Sequence, residues 1–431
     1  MKSPSDTPPP AAASRLPYSG KRLFYGWVIV GVGFISQVIQ GLVAQGFASY
    51  LDLLKADFHW TSAQLAAPRS VTTVENAALG PFTGWLVDRF GPRKVVAVGV
   101  VLVGIGFVIF GLTTTMWLFY LANIVMALGT CLMGLFVMSV AVNNWFRRRR
   151  TIAQSVMLLG YSLAGVLGVP GLVFLQTKLG WQGSAIWTGI GVMAIGLPCT
   201  LLLRTRPEAH GLLPDGDRPG QAAAADGKDA PKVEYDFTVR EALRTRSFWL
   251  LALGLAASNV GMGAVQVHIF LHLEQSAHLA RETTALVVTI SAVANIPFRL
   301  VGGYLGDRVN KSAVLGIATI LMGASFLALA VAGSFQAALL YAIPYGIGWG
   351  IRTPVMNSMQ ADYFGRRALG KISGWLQLVS LPFAIAAPVI AGLMDDVQET
   401  YLWAFIMMAA ITVVGAVLIL LAARPRVPRT G

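Results

Sequence analysis

The chain has 431 residues, of which 55% are apolar and only 12% charged, and its mean hydropathy is +0.64. A water-soluble protein of this length needs more charged surface, so the bilayer is the expected solvent. The net charge of +13 suggests a nucleic acid only until positions are read, because the charges form short clusters between apolar runs.

Residues 1–22 are polar and rich in Pro and Ala without a short apolar core, which reads as a cytoplasmic tail rather than a cleaved signal. A helix needs about 20 mainly apolar residues to cross about 30 Å of hydrocarbon. The pattern predicts spans near 25–46, 65–87, 94–113, 117–141, 152–176 and 183–203, making a six-helix bundle over 23–203. Residues 204–246, rich in Pro, Gly, Asp and Ala, read as a cytoplasmic linker with one surface helix around Val239–Arg244. Spans resume near 247–271, 284–306, 312–332, 336–360, 372–393 and 400–422, a second bundle over 247–423, before a cytoplasmic tail at 424–431. The expected fold class is an all-α membrane protein of twelve transmembrane helices in two pseudo-symmetric six-helix bundles. Cys131 and Cys199 lie inside apolar runs and carry no redox information.

Orientation follows from Lys and Arg. With both termini inside, all but six of the 33 basic residues fall on the cytoplasmic side. Lys55, Lys178 and Arg281 fall outside, and Arg69, Arg299 and Arg352 within spans. Shifting the assignment by one helix reverses the asymmetry.

Two segments occur twice, at matching loops of the halves. Gly84-Trp85-Leu86-Val87-Asp88-Arg89 answers Gly303-Tyr304-Leu305-Gly306-Asp307-Arg308. Trp145-Phe146-Arg147-Arg148-Arg149 answers Tyr363-Phe364-Gly365-Arg366-Arg367. Duplicated halves place a substrate site near the midplane between them. Asp88 and Asp307 stand at helix ends, where an acid can bind a neighbouring helix N-terminus or an arginine and so latch the cytoplasmic side.

Gly84, Asp88, Arg89, Gly91 and Arg93, with Lys94, resemble the hallmark loop of the major facilitator superfamily, G-x-L-x-D-R-x-G-x-R-R/K, and Gly303, Asp307 and Arg308 its second copy. Further stretches narrow the resemblance: Phe24-Tyr25-Gly26-Trp27, Gly180-Trp181, Arg206-Pro207-Glu208 through Gly216, and Arg246-Ser247-Phe248-Trp249. Together they resemble the bacterial monocarboxylate transporter and oxalate/formate antiporter branch. The resemblance implies a multi-pass carrier of the bacterial inner membrane that works by alternating access as a monomer.

An ionisable group inside a span is costly and usually functional. Arg299 lies eight residues before Asp307 and Arg352 ten before Asp362, roughly 12 and 15 Å from the cytoplasmic boundary at about 1.5 Å per residue. Both are near the midplane. Glu75, thirteen residues before Asp88, lies beyond the centre, and Arg69 near the outer interface, where snorkelling explains it. Two deep arginines against one deep acid leave the interior short of negative charge, which a bound organic anion supplies, and arginine suits a carboxylate through paired hydrogen bonds. The resemblance implies that Arg299 binds the substrate carboxylate. Asn295, one turn earlier, shares its face and can donate a second hydrogen bond.

For Arg352 three readings stand open: a second cation for a dicarboxylate, a bridge to Glu75 as a gate, or packing within its own half. Alignment to animal monocarboxylate carriers puts Gln45 where they carry a lysine and Asn295 where they carry an aspartate, so their proton-coupling scheme is in doubt and Glu75 is the remaining proton-coupling or gating candidate. Tyr120, Tyr341 and Tyr345 are candidate pocket walls. His268 and His272, at i and i+4, lack the further ligands a metal needs, and His268 is a candidate contact at the outer mouth.

The expected function is secondary transport of a small organic anion, a monocarboxylate, with a proton or counter-anion as coupling partner. The partners are that anion and the lipid bilayer; no nucleic acid, cofactor or metal is expected. The alternatives are a dicarboxylate antiporter using Arg299 and Arg352, and a multidrug exporter of the same fold, which wants deep acids. No phosphate loop or nucleophile elbow points to an enzyme.

Overall fold

The structure is a computed structural model, and it describes residues 24–60, 64–65, 79–208, 212–216, 235–275, 278–398 and 400–425. Among these there is no strand. The helices of the first half are α1 Gly26–Gly46, α2 Ala48–Phe58, α3 Gly80–Phe90, α4 Pro92–Gly111, α5 Met116–Met133, α6 Leu135–Trp145, α7 Arg150–Leu163 and, after a π-helical turn Ala164–Gly168, α8 Val169–Leu202. A short α9, Val239–Leu243, stands in the linker. The second half holds α10 Arg246–Gln275, α11 Arg281–Arg308, α12 Lys311–Ala330, α13 Phe335–Phe364, α14 Leu369–Gln398 and α15 Leu402–Leu421.

These segments are helical because lipid offers no partner for a backbone N–H or C=O, so each must be paired within its own helix. Among the described residues nine stretches are long and apolar enough to cross a membrane. One of them, Arg150–Leu202, holds two expected spans and is broken at Gly180, whose φ of 71° costs a residue with a side chain more than it costs glycine. With α3 and α13 the expected set of twelve is complete, although most of the second span, including Arg69 and Glu75, lies outside the described residues. Helix starts are capped by side chains: Thr115 accepts from Leu118 N–H, Asn310 from Ser312 N–H and Ser334 from Ala337 N–H. Thr238 and Glu241 form a reciprocal capping box on α9, and the Thr238 N–H and hydroxyl hold the Glu241 carboxyl below its ordinary range.

One apolar core, around Val103, Phe119, Trp145 and Met157, serves the first half. The second half has two, around Phe326, Tyr341 and Phe405 and around Phe248, Leu315 and Phe364. The halves meet where α11 packs on α7 and α14 on α3. Small residues permit the contact: a Cβ on Gly84 would lie 2.3 Å from Gly370 O, and one on Gly374 2.6 Å from Gly80 O.

Candidate functional site

Both repeated acids bind helix N-termini rather than arginines. Asp307 accepts from Thr151 N–H at 2.8 Å and Ile152 N–H at 3.0 Å, the first turn of α7. Asp88 accepts from Lys371 N–H at 3.3 Å, the first turn of α14. Each acid thus sits on the positive end of a helix from the other half. The rest of the signature supports this. Arg89 covers Trp85 and Phe90, and Arg308 covers Tyr304, while Gly91, at φ 80°, turns the chain from α3 into α4. Arg93 follows in the first turn of α4.

The same end carries groups that the sequence did not single out. Arg150, fully buried, pairs with Asp362 of α13, which also meets Lys311. Thr151 Oγ1 lies 2.9 Å from Ser358 Oγ, and Asn143 Nδ2 donates to Asn357 O at 3.0 Å. Together with the two acids, these bonds close the basic end of the bundle across the halves. The linker is fastened there as well. The backbone N–H groups of Arg147 and Arg148 point at Asp215, at 3.0 and 2.8 Å, and those of Arg366 and Arg367 at Asp236, at 2.7 and 3.1 Å.

Deeper in, Arg299 is 4% exposed on α11. Its Nε donates to Asn295 Oδ1 at 2.6 Å and its Nη1 to Leu158 O of α7 at 2.5 Å, and the guanidinium lies 6.0 Å from the Trp349 ring. A guanidinium can only donate, so Asn295 turns its carbonyl oxygen to Arg299 and its NH2 away. That Nδ2 is buried and makes no hydrogen bond among the described residues. Arg299 Nη2 likewise has no hydrogen-bond partner there.

Arg352 is 3% exposed on α13 and makes the same kind of arrangement. Its Nη2 donates to Ser258 Oγ at 2.6 Å and Asn259 Oδ1 at 2.8 Å, both on α10. Gly350, two residues earlier, backs onto Asn295 O and Arg299 N of α11. Two residues are about 200° around a helix. The α11 backbone at Arg299 therefore backs onto the Gly350 side of α13 while the Arg299 guanidinium reaches Trp349, and Arg352 leaves α13 toward α10. Of the three readings of Arg352, packing within its own half matches these partners; Glu75 lies outside the described residues. Ser258 and Asn259 were legible in principle, as a polar pair in an otherwise apolar span.

The remaining candidates are placed as follows. Gln45 Nε2 donates to Tyr161 O at 2.8 Å, just before the π-helical turn. Such a turn skips one carbonyl in the hydrogen-bond ladder, and Gln45 takes up an acceptor there. Tyr345 is buried between Tyr341, Phe326 and Trp349 in the core of the second half. Tyr120 donates to Gln64 O at 3.1 Å. His268 contacts Tyr401 Oη at 3.2 Å and Pro388 O at 2.9 Å, so both ring nitrogens are engaged inside the second half. His272 Nε2 meets Leu329 O at 2.7 Å. Among the described residues no group of His, Cys, Asp or Glu could hold a metal.

A cavity of about 440 Å³ opens between α6 of the first half and α10, α13 and α14 of the second. Its apolar walls include Phe136, Leu255, Met356 and Leu376.

Comparison with known proteins agrees with this architecture. The family model for the Major Facilitator Superfamily matches residues 33–280 and again 270–431. Monocarboxylate transporter 11 of Mus musculus is 25% identical over 410 residues, covering 91% of this chain and 86% of its own. An uncharacterized MFS-type transporter of Escherichia coli, YhjX, is 26% identical over 315 residues, covering 68% and 70%. The solved structure of the transporter FucP in the outward conformation superposes with a TM-score of 0.71 at 15% identity, covering 93% of this chain and all of that one, a likeness of fold. Repeated latches, two helical halves and family match together make this chain a multi-pass transporter of the major facilitator superfamily that resembles its monocarboxylate-transporter members.

Proposed function

We propose that the protein carries a small organic anion, a monocarboxylate, by alternating access between its two halves. One observation carries this reading: the Arg299 guanidinium is buried and meets an amide oxygen and a carbonyl, but no carboxylate, among the described residues. A buried charge without a counter-charge is expensive. The nearby Asn295 Nδ2 is a donor without an acceptor. A carboxylate meets both needs, bridging Arg299 Nη2 and the Asn295 amide.

Arg352 gives its Nη2 to Ser258 and Asn259 of α10, which favours a single-carboxylate substrate over a dicarboxylate held by both arginines. The exporter reading wants deep acids, and nothing described supplies one. The charge asymmetry expects the basic end to face the cytoplasm of a bacterium, so on this reading the arrangement is closed to the cytoplasm. Substrate binding at Arg299, beside Leu158 O of the other half, reports occupancy to the α7–α11 contact. Release inward then requires Asp307, Asp88 and Asp362 to leave their partners. A proton or counter-anion couples the cycle, with Glu75 as the acid proposed to carry a proton.

In proteoliposomes, Arg299→Ala should reduce uptake of labelled lactate or acetate by roughly a hundredfold or more, the loss expected when a charged partner is removed from a buried carboxylate. The purified variant should keep the helical content of the parent. Undiminished uptake of every carboxylate tested would overturn the assignment.

A further inference from the structure

We propose that the end of α3 and the start of α4 seat an anionic glycerophospholipid at the basic end of the molecule, on a surface that the second half repeats in shape and not in charge. On α3, Thr83, Gly84 and Val87 are buried, whereas Phe82, Trp85, Arg89 and Phe90 are exposed. On α11, matched as Asp88 is to Asp307, Gly302, Gly303 and Gly306 are buried and Val301, Tyr304, Arg308 and Val309 are exposed. Residues three, four and seven apart share a helix face. In both halves, therefore, an outward apolar stripe runs to an arginine. Phe82 and Trp85 stack at 5.9 Å, and the Arg89 guanidinium lies 5.2 Å from the Trp85 ring and 5.6 Å from that of Phe90. Arg308 lies 4.2 Å from the Tyr304 ring. Phe82 stands seven residues, roughly 10 Å, further into the span than Arg89. The groups thus follow the order of a phospholipid, hydrocarbon first and phosphate at the end.

Charge separates the two copies. Past the Gly91 turn, Arg93 and Lys94 are exposed in the first turn of α4, which holds no acid. Arg89 and Lys94 are five residues apart, at most about 18 Å even in extended chain, and the turn brings them closer. Among the described residues, Arg89, Arg93 and Lys94 meet no carboxylate. Asp88, their neighbour, accepts from Lys371 N–H across the crossing. The matching positions of the second half are Ser312 and Ala313, and Lys311 beside them meets Asp362. One stripe therefore ends in three uncompensated cations and the other in Arg308.

The chemistry selects the occupant. Guanidinium and ammonium groups at a membrane face pair with phosphate, arginine through parallel hydrogen bonds. Exposed rings at that level suit the glycerol and the upper acyl chain, where tryptophan is enriched. A zwitterionic headgroup brings its own ammonium toward three cations, which favours an anionic one. A soluble phosphate compound would use the cations and leave Phe82 and Trp85 bare. The seat lies at the end of the helix that Asp88 fastens to α14, so its occupant stands against the first-half crossing.

Full-length protein in phosphatidylcholine nanodiscs tests this, with a minor fraction of acyl-brominated phosphatidylglycerol or, in parallel, of acyl-brominated phosphatidylcholine. Bromine quenches tryptophan on contact, and the Trp85 signal is the difference between the parent and Trp85→Tyr. Brominated phosphatidylglycerol should quench Trp85 at a content roughly fivefold or more below that of brominated phosphatidylcholine, since each cation near the surface is worth about a factor of five toward an anionic lipid. Changing Arg89→Gln, Arg93→Gln and Lys94→Gln together should abolish the preference while the helical content and melting temperature stay those of the parent. Arg93→Gln with Lys94→Gln, which leaves α3 untouched, should remove most of it. With Tyr304→Trp added to Trp85→Tyr, the second half should show a weaker preference than the first. Equal quenching by the two lipids in the parent, quenching by neither, or a preference that survives the triple change would overturn the proposal.

Discussion

The crossing of α3 on α14 and the crossing of α11 on α7 are copies of one another, yet α11 carries a buried arginine where α3 carries a glycine. In both, a small residue and an acid recur four residues apart: Gly84 and Asp88 in one, Gly303 and Asp307 in the other. One turn further from the acid, α3 has Gly80 where α11 has Arg299. On the partner helices, Gln377 stands where Leu158 stands. A Cβ added to Gly80 would meet Gln377 Oε1 at 3.1 Å, so an amide reaches toward the place that the arginine takes in the other crossing. The lesson is that the glycines and acids recur in both crossings and the buried arginine does not. On the proposed function, the crossing with Arg299 is the one that senses the substrate.

The comparison can be broken most severely at the ion pair that ties α7 to α13 beside the second crossing. Asp362→Asn should cost about 3–5 kcal/mol, because it removes the carboxylate that the fully buried Arg150 meets on α13. The combined change Arg150→Met with Asp362→Leu should recover most of that loss, and thermal unfolding in nanodiscs reads both. If the single and double variants melt together, the pair is not what distinguishes this crossing. Next in size is steric spreading. Gly84→Leu places carbon against Gly370 backbone, whereas a Cβ at Gly303 first meets the Ser155 hydroxyl, at 2.4 Å, which can rotate. Gly84→Leu should therefore cost about 1–3 kcal/mol of the closed basic end and Gly303→Leu less, seen as greater labelling of single cysteines placed there. The smallest expected difference is between the acids. Asp307 holds two backbone N–H groups at 2.8 and 3.0 Å, and Asp88 holds Lys371 N–H at 3.3 Å. Asp307→Asn should weaken the closed state by about 2 kcal/mol and Asp88→Asn by about 1. Equal labelling in the two would mean that the crossings latch equally.

Much of this was legible in the sequence because it rests on length and repetition. Apolar runs of the right length gave the spans, and the paired Gly and Asp loops gave the twofold plan and the depth of Arg299. The direction in which a deep side chain points was not legible, since a helix apolar on all sides has no periodicity to mark which neighbour each face meets. Arg352 shares a face with Tyr345, as the spacing predicts, but that this face turns into the second half, Tyr345 against Phe326 and Arg352 on α10, had no mark in the sequence. Gln45, aligned with the lysine of the animal carriers, turns its amide to a carbonyl of the neighbouring helix beside a widened turn. Gly165 admits it, for a Cβ there would lie 2.2 Å from Gln45 Oε1. A local change of hydrogen-bond register has no signature in composition. The carboxylate clasps were hidden for a related reason: Asp215 and Asp236 bind backbone N–H groups, which every residue possesses.

Those clasps bear on how the protein can be made. Asp215, early in the linker, fastens the loop before α7, and Asp236, late in it, fastens the loop before α14, so each half keeps its own fastening. A break in the chain between Gly216 and Tyr235 cuts neither. Co-expressed as two polypeptides divided there, the halves should assemble in one membrane, held by the crossings instead of by covalent connection.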